Sequence, residues 1–152
     1  MGTQESLLDQ IEVILSSQDD RTSKIKRVSD AIRSTCEFHW LGIYDVEEKD
    51  IAVIAWSGHD SPAFPRFPVT QGLNGAAVAS RETVVVNDVS SDPRYLTTFG
   101  STQSEMIVPV IHSAEGTVVA TIDVESARKG AFTAGDRALL ERCARSIARL
   151  WE

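Results

Sequence analysis

The chain has 152 residues, 42% of them hydrophobic, which is enough apolar surface for one well-packed core. Fifteen Lys and Arg face 22 Asp and Glu, so the net charge of −7 sets a repulsive average field against a phosphate backbone, and nucleic acid is not an expected partner. The start carries no basic, cleavable leader pattern, and no apolar run approaches the ~18 residues a bilayer span needs. No membrane association is expected, and the expected compartment is the cytoplasm. Cys36 and Cys143 lack CxxC partners and nearby histidines at ligand spacing, so neither a disulfide framework nor a zinc site is implied.

In chain order, Leu7, Leu8, Ile11, Ile14 and Leu15 recur at helical spacing, and Ile25, Val28, Ile32 and Cys36 repeat the pattern after a polar break, predicting two helices over 5–36. From Trp40 the period becomes two. WLGIYDV and IAVIAW, joined by the charged turn EEKD, read as a β-hairpin. The three prolines of SGHDSPAFPRFP exclude a central strand and predict a loop or an edge segment. NGAAVASR then reads as a short helix with Asn74 near its start, and TVVVND as a strand. The polar stretch VSSDPRYLTTFGSTQS is a long loop of the kind that carries function. EMIVPVIH and TVVATIDVE form a second hairpin, and Thr133 caps a final helix whose stripe is Leu139, Cys143, Ile147 and Leu150.

With strands joined mainly as hairpins, the expected class is α+β: an antiparallel sheet with the terminal helices on one face and loops on the other. The expected organisation is one domain over 1–152, with helices over 5–36, sheet and pocket over 38–126, and a closing helix over 133–151. Alternation along TVVATIDVE puts Val118, Ala120, Ile122 and Val124 on the core face and Thr121, Asp123 and Glu125 on the other. The same rule groups Trp40, Gly42 and Tyr44, predicting a gap over the glycine between aromatic walls. If Glu105 lies beside Asp123, three carboxylates meet under the loops. Periodicity alone leaves a second reading open, in which this is simply a solvated sheet face.

The pattern WLGIY, FPRFPVTQGLNGAAVASRETVVVNDVSSDPRY, SEMIVPV, TIDVES and FTAGDRALLERCA resembles the GAF domain family over about residues 25–150. The resemblance implies five or six antiparallel strands, a pocket between sheet and loops, and pairing into a homodimer through the terminal helices. The site pattern is most similar to that of the free methionine-(R)-sulfoxide reductases. Their Trp and Tyr correspond to Trp40 and Tyr44, and their acidic pocket residues to Glu105, Asp123 and Glu125, with Glu replacing the last Asp of a DxD motif. Three positions that carry cysteine in those enzymes hold Phe64, Asn74 and Thr98 here. Reduction of this type needs an attacking thiolate and a resolving thiol, which those side chains cannot supply.

The expectation is therefore a small-molecule sensor without catalytic activity, holding an amine-bearing or amino-acid-like ligand among Trp40, Tyr44, Phe64, Asn74, Tyr95, Thr98, Glu105, Asp123 and Glu125, with no cofactor and no metal. His39, His59 and His112 read as surface or loop residues, and the NKFDE signature of cyclic-nucleotide-binding relatives is missing. Two alternatives remain: a divergent reductase that recruits Cys36 or Cys143, and a dimerisation unit with a filled core. A sensor of this kind passes its signal to a separate signalling protein.

Overall fold

The computed structural model describes residues 3–97 and 99–152. Helix α1 (Thr3–Leu15) is followed by α2 (Arg21–Cys36), whose first turn is closed by Asp20 accepting from the Ser23 amide at 2.8 Å. The α2 helix ends where Glu37 enters the left-handed region, φ 56°, and returns its amide to the Arg33 carbonyl. Strands β1 (Trp40–Val46) and β2 (Asp50–Ser57) form the first hairpin. The proline-rich segment contributes a three-residue edge strand, β3 (Arg66–Pro68), as its lack of donors requires. Helix α3 (Gly72–Ser80) leads into β4 (Val84–Val86), a strand shorter than TVVVND suggests because Asp88 turns away to cap a 3₁₀ turn over Val89–Ser91. Strands β5 (Ser104–Ile111) and β6 (Val118–Ser126) form the second hairpin. Helix α4 (Ala134–Ile147) opens on a reciprocal capping box between Thr133 and Asp136 and tightens into a 3₁₀ turn over Ala148–Trp151.

The six strands run in the order β3-β2-β1-β6-β5-β4, every pair antiparallel. One face carries Leu41, Ile43, Met106, Val108, Ala120, Ile122 and Val124, packed against Leu7 and Ile11 of α1, Ile25, Val28 and Ile32 of α2, and Leu140, Cys143 and Ile147 of α4. Each fully buried Leu or Ile contributes about 1.5–3 kcal/mol relative to exposure, so this layer is the main source of stability. The other face lies under α3 and the loops, with Trp40, Tyr44, Ile51 and Phe67 in one apolar group and Leu73, Ala77, Val86, Val89 and Ile107 in another. Pairing sets the polar residues between them in rows: Trp40 opposite Glu125 opposite Glu105, and Gly42 opposite Asp123 opposite Ile107.

The far end of β1 is held from the helix side. Asp45 accepts from the Arg21 guanidinium and from the Trp151 indole N–H, both at 2.7 Å, and Arg21 lies 4.6 Å above the Trp151 ring. Among the described residues, no helix is long and apolar enough to cross a membrane.

Candidate functional site

On the loop-covered face, alternation brings the three acids together. Glu105, Asp123 and Glu125 are 3%, 2% and 0% exposed, and one oxygen from each lies within 4.8 Å of the others. The solvated-face reading of these strands is therefore overturned: α3 together with Leu96, Phe99 and Thr102 covers what periodicity alone would leave in water. Burial and the two neighbouring carboxylates drive the Glu105 carboxyl well above its ordinary range. Burial also pushes Asp123 up to about 6, against the opposing effect of hydrogen bonds from Glu105 and Asn74. The Tyr44 hydroxyl is raised by burial and then by the three acids.

As the sequence suggests, Asn74 stands near the helix start, as the third residue of α3, but it caps nothing, and Gln71 at the cap makes no side-chain cap bond. The buried Asn74 amide instead spans the site. The Thr121 hydroxyl donates to its Oδ1 at 2.6 Å, which turns its NH₂ toward Asp123 Oδ2 at 3.1 Å. The Thr102 hydroxyl donates to Glu125 Oε1 at 2.8 Å. The other oxygen of Asp123, Oδ1, is buried and finds no donor among the described residues.

The predicted gap over Gly42 is absent. The indole of Trp40 fills it, since a Cβ at Gly42 would sit 2.4 Å from Trp40 Cη2, and one at Gly58 2.4 Å from Cδ1. The indole N–H donates to the Asp60 carbonyl at 2.9 Å, and Phe99 meets the ring edge-on at 5.2 Å. Trp40 is thus a buried support behind the acids and not an open wall. Tyr44 meets Phe67 edge-on at 5.9 Å and does line the hollow beside Glu105 and Asp123, along with Leu73, Asn74 and Leu96. Phe64 stands at its mouth, 42% exposed. Tyr95 packs on the Leu73, Val86 and Ile107 group and not in the hollow. Thr98 lies outside the described residues.

The enclosed space beside the acids is about 10 Å³, room for one water-sized group. A larger groove of about 600 Å³ runs between α4 and β5, far more open and without clustered carboxylates: its Glu141 is engaged by Arg137 and Thr83. Chemistry and not size marks the site, because among the described residues only the small hollow gathers buried, incompletely satisfied carboxyl groups.

Sequence reasoning missed Phe67, Leu73, Leu96, Phe99 and Thr102. Leu96 and Phe99 are the apolar exceptions in an otherwise polar loop, a usable signal, whereas nothing local marks Thr102 as the partner of a glutamate 23 residues away. Cys143 is fully buried among the helix-side residues, with Cys36 packed on the same layer, so both lie across the sheet from the acids. Burial pushes their thiols up to about 12 and about 11. His39 and His59 are exposed, and His112 Nδ1 accepts from the amides of Ala114 and Glu115 in the β5–β6 turn.

A six-stranded antiparallel sheet with helices on one face and a loop-roofed polar hollow on the other defines a small α+β domain. Residues 20–152 match the GAF domain family, and the chain belongs to it. Protein YtsP of Bacillus subtilis is 26% identical over 144 residues, 94% of this chain and 87% of that protein. The type II free methionine-R-sulfoxide reductase of Thermoplasma acidophilum superposes with a TM-score of 0.80 at 30% identity, covering 86% of this chain and 91% of that one. The free methionine-R-sulfoxide reductase of Neisseria meningitidis, solved with its substrate, gives a TM-score of 0.88 at 23% identity over 97% and 87% of the two chains, a likeness of fold.

Proposed function

We propose that this GAF domain is a small-molecule sensor that holds an amine-bearing, amino-acid-like ligand against Glu105, Asp123 and Glu125 and performs no chemistry on it. The observation that carries the reading is a buried set of three carboxylates in which Asp123 Oδ1 has no donor. A ligand ammonium offers three N–H groups and a positive charge to such a set. The Tyr44 ring beside it adds a cation–π attraction of about 0.5–2 kcal/mol. Because the enclosed space is only about 10 Å³, a ligand of amino-acid size enters by displacing Leu96 and Phe64. The segments carrying Phe64 and Leu96 are then the moving parts, and the signal passes to a second copy of the chain or to a separate partner.

A reductase reading is supported by the names of relatives such as the Thermoplasma acidophilum protein. It requires a thiol on the loop side of the sheet, and the helix-side position of Cys36 and Cys143 weighs against it. Thermal-shift screening of free amino acids, including methionine and its sulfoxides, tests the proposal. The expected result is stabilisation by at least one amine-bearing compound that disappears in Asp123→Asn. No stabilisation by any of them would exclude this ligand class, and thiol-dependent turnover of the sulfoxide, abolished by Cys36→Ser or Cys143→Ser, would restore the reductase.

A further inference from the structure

We infer that the empty site stores one proton on Glu105, shared with Asp123 and Glu125, and that a ligand ammonium enters by replacing it. The first half stands on geometry alone, and the second rests on the amine-binding reading above.

Three carboxyl oxygens within 4.8 Å of one another, on residues no more than 3% exposed, form a buried cluster of like charges. Full ionisation would leave three adjacent negative charges withdrawn from bulk solvent, so one carboxyl keeps its proton. Each element around the cluster supplies acids or neutral groups: Tyr44 from β1, Asp123 and Glu125 from β6, Asn74 from α3, and Thr102 from the loop before β5. Among the described residues, no Lys, Arg or His contributes to the titration of Glu105 or Asp123. Nothing fixed in the fold therefore replaces the proton.

Glu105 is the carrier because Asp123 and Glu125 each accept a hydrogen bond from a neutral donor, Asn74 and Thr102 respectively, whereas both carboxylates bear on Glu105. Its O–H also offers Asp123 a second donor beside the Asn74 amide. An arriving ammonium brings one positive charge and three donors as the proton leaves for solvent. The charge of the site is unchanged, and no covalent bond other than the O–H is broken. The site thereby selects for a cation: a neutral analogue of the same shape would leave the proton in place and gain nothing at Oδ1.

Between the Glu105 pKa of the filled protein and that of the empty one, binding releases one proton, so affinity rises about tenfold per pH unit. Below about 6, where Asp123 also takes a proton, the dependence steepens.

The experiment has two arms on the full chain. Infrared spectroscopy of the ligand-free protein at pH 7 is expected to show the carbonyl stretch of a protonated carboxyl, which Glu105→Gln removes. An unprotonated spectrum, or one unchanged in that variant, would overturn the stored proton whether or not any ligand binds. Calorimetry with the amino acid that stabilises the protein, in two buffers of different ionisation enthalpy, is expected to report about one proton released per ligand. Its N-acetyl derivative is expected to bind at least about tenfold more weakly, through loss of the charge. Binding without proton release would refute the exchange while leaving the amine site intact. A carboxyl band accompanied by no amine binding would refute the exchange and the proposed ligand class together.

Discussion

Exchanging Asn74 for Asp alters a single group, replacing the NH₂ that faces Asp123 Oδ2 at 3.1 Å with a second oxygen. Shape and volume are conserved, so the effect is purely electrostatic. One hydrogen bond to a charged group is lost, about 1.5–3 kcal/mol, and an added charge buried without a partner raises the cost to about 3–5 kcal/mol. The new carboxyl titrates above its unfolded value because burial and Asp123 both oppose ionisation. The folded state thus binds more protons than the unfolded one, and stability falls as pH rises through that interval. At pH 8 the full cost is expected. At pH 5, a protonated carboxyl still has a donor to offer, and the cost drops to about 1 kcal/mol. Urea unfolding followed by far-UV circular dichroism measures both, and with a slope near 2 kcal/mol per molar the midpoint falls by about 2 M at pH 8. Asn74→Ala, which removes both bonds but adds no charge, is the control, and its smaller pH dependence comes only from Asp123 losing a donor that favours its charged form. An Asp variant as stable as the Ala variant at pH 8, or equally destabilised at both pH values, would refute the electrostatic account of this residue.

Gly42→Ala sets a methyl 2.4 Å from the Trp40 ring and 3.0 Å from that of Tyr44, so both aromatics must shift. The expected overpacking cost is about 1–3 kcal/mol, with altered tryptophan emission in the folded state. Thr133→Ala removes half of the capping box on α4 and should cost about 1 kcal/mol in the same urea assay, without changing ligand response. Since burial pushes the Cys36 thiol up to about 11 and that of Cys143 up to about 12, iodoacetamide at pH 8 should modify the native protein at least about tenfold more slowly than the urea-unfolded chain. The native rate should then climb as pH approaches 11, and fast labelling at pH 8 would contradict the burial of Cys143 and the partial burial of Cys36 in the helix-side layer.

The fold was largely legible because its signals are local. Leu7, Ile11, Ile25 and Ile32 recur at the helical period and prove fully buried, while Ala120, Ile122 and Val124 alternate onto the core face as a half-buried strand requires. Pro65 and Pro68 mark the sheet edge correctly. The convergence of Glu105, Asp123 and Glu125 could be posed from alternation and cross-strand pairing, but their burial could not, because it depends on how α3 and a distant loop lie over the sheet. The space over Gly42 was misjudged for the same reason: an absent side chain reads as a void until the rotamer of a neighbour two residues away is known. Asn74 shows the limit most clearly. A short polar residue early in a helix suggests capping, yet its partners stand 47 and 49 residues further on, on a strand that no local rule connects to it.

Tyr44 and Asp45 are adjacent on β1 and point to opposite sides of the sheet, one into the acid hollow and the other onto Arg21 and Trp151. One strand thus ties the acid hollow to the helix layer: a displacement of the β1 backbone at Tyr44 would also move a carboxylate clasped by the first turn of α2 and by the 3₁₀ turn over Ala148–Trp151.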